Sequence, residues 1–217
     1  NEINETLHKT PLKHYTQYLH ENIYKSIKYS RSSEDYIGRF YGEFMSYSGG
    51  DGQALGIILT PKHITDLFCN LVAIKADDVV FDPCSGTAGF LISAMHHMLS
   101  QAENEHQKGQ IRQQQLHGIE IQSYMFTIAT TNMILRGDGK SHLINGNFLK
   151  EDSNKLQTKG LTVGMMNPPY SQGSKKNPEL YEIAFTEHLL NSIVKGGRVV
   201  VIVPQSALTG KSKEEAT

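Results

Sequence analysis

The chain has 217 residues, of which 38% are hydrophobic and 20% charged, with a formal net charge of −1 and two cysteines. This composition fits a folded protein with one sizeable domain, and it excludes a disulfide-rich scaffold. The two cysteines form no disulfide framework, so we expect a reducing cytoplasm. No apolar run is long enough for a membrane span, so no membrane contact is expected. Cysteines and histidines lack zinc-ligand spacing, so no metal site is predicted.

Apolar residues recur at helical spacing through residues 1–50, which predicts a helical N-terminal segment. A Gly-rich loop at 48–56 leads into the main domain, predicted at 51–217. Thr60-Pro61 predicts a helix start, with Thr60 as the N-cap and Pro61 as the first helical residue. The face expected to be buried carries Ile64, Leu67, Phe68, Leu71 and Val72.

From residue 79 onward, apolar strands alternate with helices. The predicted strands lie at 79–82, 117–121, 142–148, 161–166 and 198–203. The predicted helices lie at 86–99, 123–136 and 177–195, and the Gln-rich stretch 101–115 is predicted as a polar connection. Strands that are apolar throughout predict an α/β fold, with a mainly parallel sheet flanked by helices.

Ligands of such sheets bind beyond the carboxyl ends of the strands. The segment FDPCSGTAGF follows the first strand, and Gly86 and Gly89 allow close backbone approach to a ligand. It lacks the G-x-G-x-x-G pattern of pyrophosphate sites. Asp82 and Ser85 instead make a polar turn suited to an amino-acid carboxylate and ammonium. An ordinary strand-to-helix turn is the alternative.

Two later strands end in further candidate residues. Glu120 lies between Ile119 and Ile121, where a charge needs a partner. A carboxylate after the second strand typically binds ribose hydroxyls, and a surface glutamate is the alternative. Asn147 and Phe148 follow the third strand and offer a polar contact and a hydrophobic wall to an adenine ring, or simply a turn residue and a core phenylalanine.

The fourth strand ends in Asn167-Pro168-Pro169-Tyr170. The two prolines have fixed φ and no N–H, so they form a stiff segment with free carbonyls. Asn167 adds a side-chain carbonyl, and Tyr170 adds an aromatic face. This arrangement suits a planar group with an NH2, such as an adenine edge or a carboxamide. The alternative is that Asn-Pro-Pro only forms a turn.

Together, LTPKH, FDPCSGTAGF, GIE and NPPY closely resemble the modification subunit of type I restriction–modification systems, a DNA adenine-N6 methyltransferase. The resemblance runs from about Gly42 to the end. It implies a Rossmann-like methyltransferase fold and S-adenosyl-L-methionine (SAM) as cofactor. The residues that it assigns to the cofactor are Leu59, Thr60, Pro61, Lys62, Ser85, Gly86, Thr87, Gly89 and Glu120, and we add Asp82, Asn147 and Phe148.

The resemblance also implies the chemistry and the partners. Asn167, Pro168, Pro169 and Tyr170 match the catalytic motif, so we expect direct methyl transfer to a flipped adenine of double-stranded DNA. The implied partners are a specificity subunit, a restriction subunit and a second modification subunit. We expect the last strands of the sheet to lie outside this chain, which would make it a truncated fragment.

Two departures from the family pattern and two alternatives remain. Ala88 stands where the family often has a glycine, and Asn147 stands where an aspartate is usual. A protein glutamine-N5 methyltransferase shares the NPPY motif, although the LTPKH segment favours the DNA enzyme. A truncated core that binds SAM without turnover is the second alternative.

Overall fold

A computed structural model describes residues 11–25, 59–137, 142–174 and 176–209. The Gly-rich loop predicted at 48–56 and most of the helical segment predicted at 1–50 lie outside the described residues. Within that segment, helix α1 spans Pro11–Leu19 and continues as a π-helical turn at His20–Tyr24, in line with the predicted helical spacing there.

The core of the fold is a parallel β-sheet, as the apolar strands predict. Its strands are β1 Val80–Asp82, β2 Leu116–Glu120, β3 His142–Asn145, β4 Val163–Met166 and β5 Arg198–Val201. Their order across the sheet is β3-β2-β1-β4-β5, and every neighbouring pair is parallel. The order in which the strands are added therefore reverses at β1, and because all the strands are parallel, the carboxyl ends of β1, β2 and β4 meet at one edge.

Helices flank the sheet. They are α2 Lys62–Leu71, α3 Gly89–Gln101, α4 Glu105–Gln114, α5 Ser123–Leu135, α6 Ser153–Gln157, α7 Glu182–Ser192 and α8 Gln205–Thr209. Two 3-10 turns, Phe148–Lys150 and Pro178–Leu180, precede α6 and α7. Every helix in the described part of the chain is too short or too polar to span a bilayer.

Each face of the sheet carries its own apolar core. Val80 packs with α2 and α3 on one face, whereas the next residue, Phe81, packs with α7 on the other. Met165 and Met166 divide between the two faces in the same way. A strand buried on both faces must be apolar at every position, which is the pattern in the sequence. Burial of each such side chain contributes roughly 1.5–3 kcal/mol.

The predicted polar connection at 101–115 was wrong, because most of it forms α4. Asn104 caps this helix, its side chain accepting a hydrogen bond from the backbone N–H of Gln107 at 2.9 Å. Ile111 is fully buried and docks the helix on the core. With a single buried residue in the helix, the apolar period that marks an amphipathic helix does not arise.

Boundaries also differ from the predictions at the end of β3, within the helix predicted at 177–195, and at the start of α2. Strand β3 ends at Asn145, and Phe148 belongs to a 3-10 turn. The helix predicted at 177–195 is split, because Tyr181 is extended (φ −69°, ψ 146°) between the turn at Pro178–Leu180 and α7.

The start of α2 differs as well. Pro61 is extended (φ −62°, ψ 147°), so the helix begins at Lys62 and Thr60 does not cap it. Leu67 and Leu71 are 46% and 64% exposed, so the buried face of α2 is narrower than predicted.

At the edge opposite the carboxyl ends, Asp78 and Arg198 join β1 to β5. The Arg198 guanidinium pairs with the Asp78 carboxylate and also donates to the carbonyl of Val72 at 2.7 Å. The Thr162 hydroxyl donates to the same carboxylate at 2.7 Å. Asp78 is thus a buried charge with a full set of partners, the condition for tolerating a buried carboxylate.

Candidate functional site

A cavity of about 280 Å³ opens at the carboxyl ends of β1, β2 and β4. Three groups of predicted residues meet there: the loop after β1, the acid at the end of β2, and the Asn-Pro-Pro-Tyr segment after β4. The residues that line the cavity are Pro83, Cys84, Gly86, Glu120, Ile121, Gln122, Met125, Gly146, Asn147, Phe148, Leu149, Asn167, Pro168, Pro169, Tyr170, Gln172, Leu180 and Phe185.

Asp82 is the last residue of β1 and is completely buried. One carboxylate oxygen, Oδ1, accepts a hydrogen bond from the backbone N–H of Cys84 at 3.1 Å, whereas Oδ2 has no partner. Burial raises the pKa of Asp82 to about 8, although the hydrogen bond from Cys84 lowers it in part. A buried oxygen without a donor is costly, so a cationic or N–H-bearing ligand would relieve this site.

Glu120 ends β2 and is fixed by two backbone donors. Its Oε2 accepts from the N–H of Gly86 at 2.9 Å, and its Oε1 accepts from the N–H of Gln122 at 2.8 Å. Burial raises its pKa, and these hydrogen bonds counteract the increase. Each carboxylate oxygen has a second lone pair, so a ligand with two hydroxyls can still donate to Glu120.

Ser85 and Thr87, in the loop after β1, face the protein interior. The Ser85 hydroxyl lies 3.0 Å from the carbonyl of Ile119, and the Thr87 carbonyl accepts from the Asn132 side chain at 3.0 Å. Gly89 begins α3. Gly86, with φ +53°, is the residue of this loop that the structure brings both to Glu120 and to the cavity.

Ala88 has φ +68°, in the left-handed region that favours glycine. Its N–H donates to the Ser85 carbonyl at 2.7 Å, which closes the turn before α3. An alanine in this conformation carries backbone strain of about 1–2 kcal/mol, which a glycine at the same position would not carry.

Asn147 and Phe148 both line the cavity. The structure confirms that they are a turn residue and a core phenylalanine, and their contact with an adenine ring stays a prediction. The Asn147 oxygen caps the 3-10 turn by accepting from the N–H of Leu149 at 3.0 Å. Phe148 is 3% exposed and packs edge-on against Phe81, with 5.8 Å between ring centroids. Phe148 is thus a core residue whose remaining surface forms a wall of the cavity.

The LTPK residues, which the family resemblance assigns to the cofactor, lie behind the cavity and not in its described lining. Lys62 pairs with Asp66 one helical turn later, and Leu59 is half-buried. Thr60 reaches the site through another residue, because its hydroxyl accepts a hydrogen bond from the Asn167 side-chain nitrogen at 3.1 Å. Pro61 is exposed.

In the Asn-Pro-Pro-Tyr segment, the Asn167 amide is held from two sides. Its nitrogen donates to Thr60, and its oxygen accepts from the Tyr170 hydroxyl at 2.5 Å. Burial, and secondly the charge of Glu182, raises the pKa of Tyr170. Pro168 is buried and Pro169 half-buried, so the segment is rigid and its polar atoms face the cavity region.

Glu182 was missed in the sequence. It is 7% exposed, and its Oε1 accepts from the backbone N–H of Ser171 at 2.7 Å. A carboxylate between Tyr181 and Ile183 gives the same signal that identified Glu120, so the sequence could have revealed it.

The two ends of the cavity suit different chemistry. At the β1–β2 end, the Glu120 carboxylate lines the cavity and suits a pair of hydroxyls. Asp82 is not among the lining residues, but its unpartnered oxygen lies one residue before Pro83, which does line the cavity, and such an oxygen suits an ammonium group. At the β4 end, an amide oxygen beside an aromatic ring suits a planar amino group. Among the described residues, no group of three or more His, Cys, Asp or Glu side chains is placed to hold a metal ion.

Comparison with known families gives one family match, to N-6 DNA Methylase, over residues 32–217. A type II restriction enzyme and methyltransferase of Heyndrickxia coagulans, RM.BcgI, is 48% identical over 99% of this chain and 34% of its own length. The methylase subunit of the type I restriction enzyme EcoEI of Escherichia coli is 26% identical over 88% of this chain and 41% of its own length. The chain therefore spans well under half the length of these relatives.

Two solved structures share the fold. A modification subunit ascribed to a type I restriction enzyme of Vibrio vulnificus YJ016 superposes with a TM-score of 0.69 and 21% identity, over 85% of this chain and 42% of that one. A protein of Listeria monocytogenes, described as a class I SAM-dependent methyltransferase, gives a TM-score of 0.60 and 17% identity, over 98% and 64%. The fold is therefore that of SAM-dependent methyltransferases, as predicted.

Proposed function

The chain belongs to the N-6 DNA Methylase family, and from that premise we propose that it methylates the N6 amino group of adenine in double-stranded DNA. In this proposal it is the modification part of a restriction–modification system and uses SAM as the methyl donor. One observation carries the proposal: Asn-Pro-Pro-Tyr lines the same cavity as the buried acid Glu120 and as Pro83, Cys84 and Gly86 of the loop that follows Asp82.

The residues at the β1–β2 end fit SAM. When bound, SAM supplies an activated methyl group. We assign the free Oδ2 of Asp82 to the ammonium of its amino-acid part and Glu120 to the ribose hydroxyls. Phe148 and Asn147 border the adenine position, and the backbone of Gly86 allows close approach. Ser85, Thr87 and Gly89 are assigned to shaping the loop that makes these contacts.

The residues at the β4 end fit an adenine that has left the DNA stack. Unstacking costs about a few kcal/mol, and stacking on Tyr170 offsets part of it. The Asn167 oxygen and the Pro168 carbonyl accept hydrogen bonds from the amino group, which turns its lone pair away from the ring and towards the methyl donor. No nucleophilic side chain is needed, because the rate derives from positioning and from fixed dipoles.

The proposed partners are DNA and the other components of the system. The 26% identical relative is named a type I methylase subunit, and such a subunit would act with specificity and restriction subunits and a second copy of itself. The 48% identical relative is named both a restriction enzyme and a methyltransferase, which favours a combined polypeptide as the second candidate. We also propose that the helical segment ends at residue 50 and that the methyltransferase domain begins at residue 51.

The test is methyl transfer from labelled SAM to DNA by the full-length protein, with N6-methyladenine quantified by mass spectrometry. We expect Asn167→Ala to lower kcat by at least about 100-fold and to change the SAM Kd less than about twofold, since no SAM contact is assigned to its amide. Asn154→Ala, at an exposed position in α6, is the matched control. Normal turnover by Asn167→Ala would refute the assignment, and methylated protein glutamine in place of methylated DNA would support the glutamine-N5 alternative.

A further inference from the structure

Glu182 is a buried acid that the proposed chemistry does not use. It is the first residue of α7 and is 7% exposed. Burying a carboxylate is costly unless it accepts hydrogen bonds, and the helix N-terminus offsets part of that cost. A solvent-facing acid would serve solubility equally well. The buried position therefore points to a contact that the protein needs, and its hydrogen bond from Ser171 is that contact.

This hydrogen bond joins the two ends of one loop. Beyond Ser171 the chain folds back, with Ser174 and Asn177 paired in a bridge, and returns past Leu180 to Glu182. Leu180 lines the cavity, so the loop forms part of the wall at the β4 end. The carboxylate closes the loop at its base, where a small displacement changes the position of the whole wall.

Ser171 also determines the direction of the preceding residue, Tyr170. Ser171 has φ +58°, a left-handed conformation that costs a non-glycine residue roughly 1–2 kcal/mol. The hydrogen bond from its N–H to Glu182 at 2.7 Å compensates for this cost. Without an acceptor at 182, the conformation of Ser171 loses this compensation, and the hydrogen bond from the Tyr170 hydroxyl to Asn167 is left to orient the ring.

We propose that Glu182 is a positioning residue that holds Tyr170 and the loop residues 171–174 and 176–181 in place to receive the target base. It acts through the backbone N–H of Ser171 and does not touch the substrate. This inference rests on the proposed methylation of adenine, which supplies the base that Tyr170 receives. The essential property is an acceptor at the position of Oε1, and the negative charge is secondary.

Three variants of the full-length protein test this role. Glu182→Ala removes the acceptor, Glu182→Asp withdraws it by one methylene, and Glu182→Gln keeps an acceptor oxygen without the charge. Glu187→Ala is the matched control, because it removes the same charge from an exposed position in the same helix. The measurements are kcat, KM for DNA, the SAM Kd by calorimetry, and hydrogen exchange of the peptide that contains Ser171.

We expect Glu182→Ala to lower kcat about tenfold or more, because small displacements of positioning groups have effects of this size. Glu182→Asp should lose less, and Glu182→Gln and Glu187→Ala should stay within about threefold of the wild type, while the SAM Kd stays within about twofold in all. Exchange at Ser171 should quicken in the alanine and aspartate variants alone. If the alanine variant does not fold, the aspartate variant carries the test.

Several results would overturn the inference. Wild-type kcat in both Glu182→Ala and Glu182→Asp would show that the acceptor is dispensable. A weakened SAM Kd with unchanged kcat would place Glu182 in the cofactor site instead. Equal loss in Glu182→Gln and Glu182→Ala would assign the effect to charge. A wild-type protein that forms no N6-methyladenine would remove the proposed function and this inference together, whereas the other results leave the proposed function intact.

Discussion

Replacing Asp82 by asparagine should make the stability of the protein less dependent on pH. Burial raises the pKa of Asp82 from 3.8 to about 8, so between these values the folded state holds a proton that the unfolded state releases. The stability associated with this proton is fully present below the unfolded pKa and is lost as the pH rises towards about 8. Asparagine has the same shape and no proton to lose.

The size of the effect follows from the pKa difference. Each pH unit between the two pKa values changes the free energy of unfolding by about 1.4 kcal/mol. From pH 5 to pH 8, the SAM-free wild type should therefore lose on the order of 4 kcal/mol relative to Asp82→Asn. At pH 5 the two proteins should be within about 1 kcal/mol of each other, because a protonated carboxyl and an amide make similar hydrogen bonds.

Urea unfolding of both proteins at several pH values measures this difference. Asp77→Asn is the matched control, because Asp77 is exposed and its replacement should leave the pH dependence unchanged. Calorimetry at pH 8 measures SAM binding by the same two proteins. Asp82→Asn should raise the SAM Kd by about tenfold or more, because it has no carboxylate to pair with the ammonium group. Unfolding free energies that run parallel for wild type and Asp82→Asn would refute the account of Asp82 as a destabilised buried acid.

Three further changes have defined outcomes. Glu120→Gln should weaken SAM binding about tenfold in calorimetry, since its NH2 would face one of the two N–H donors that now point at the carboxylate; unchanged affinity would contradict the ribose assignment. Gly173→Ala would place a Cβ 2.2 Å from Cδ1 and 2.7 Å from the backbone nitrogen of Tyr181. We therefore expect the free energy of unfolding, measured in urea, to fall by about 1–3 kcal/mol. An unchanged free energy would mean that this loop is free to shift. Arg198→Met leaves the buried carboxylate of Asp78 without its cation and should lower the free energy of unfolding by about 3 kcal/mol. This value is at the low end for such pairs because Arg198 is 34% exposed. A decrease under about 0.5 kcal/mol would contradict the role of the pair.

The sheet was predictable because its strands carry a strong signal. Val80, Phe81, Met165 and Met166 are each buried, and the polar residue of β1, Asp82, comes only at its end, so the apolar run is clear. The opposite holds for α4, where Ile111 is the only buried residue and the other side chains contribute little to the core. A helix attached by one side chain has no apolar period, and the Gln-rich composition then indicates a loop.

The candidate site was predictable where a rule connects sequence to position. Asp82 and Glu120 end a strand and Asn167 follows one, and parallel topology brings the ends of those strands together. Thr60 illustrates what no local rule supplies. It was predicted as a helix cap and a cofactor contact, yet its hydroxyl bonds to Asn167, 107 residues away in sequence. Such a contact depends on the finished packing of α2 against the sheet.

The central position of β1 has a consequence for how the protein folds. Val80 pairs with Leu116 on one side and with Val163 on the other, so the middle strand acquires its second neighbour from far along the chain. Pairings between distant residues form slowly, because a long loop must close before the contact stabilises it. During synthesis β1 keeps an open edge until β4 has emerged, and the same pairing brings Asn167 to the cavity that the loop after β1 also lines. Closure of the open edge of β1 and assembly of the cavity are therefore one folding event, and a chain that stalls before it exposes a sheet edge prone to aggregation.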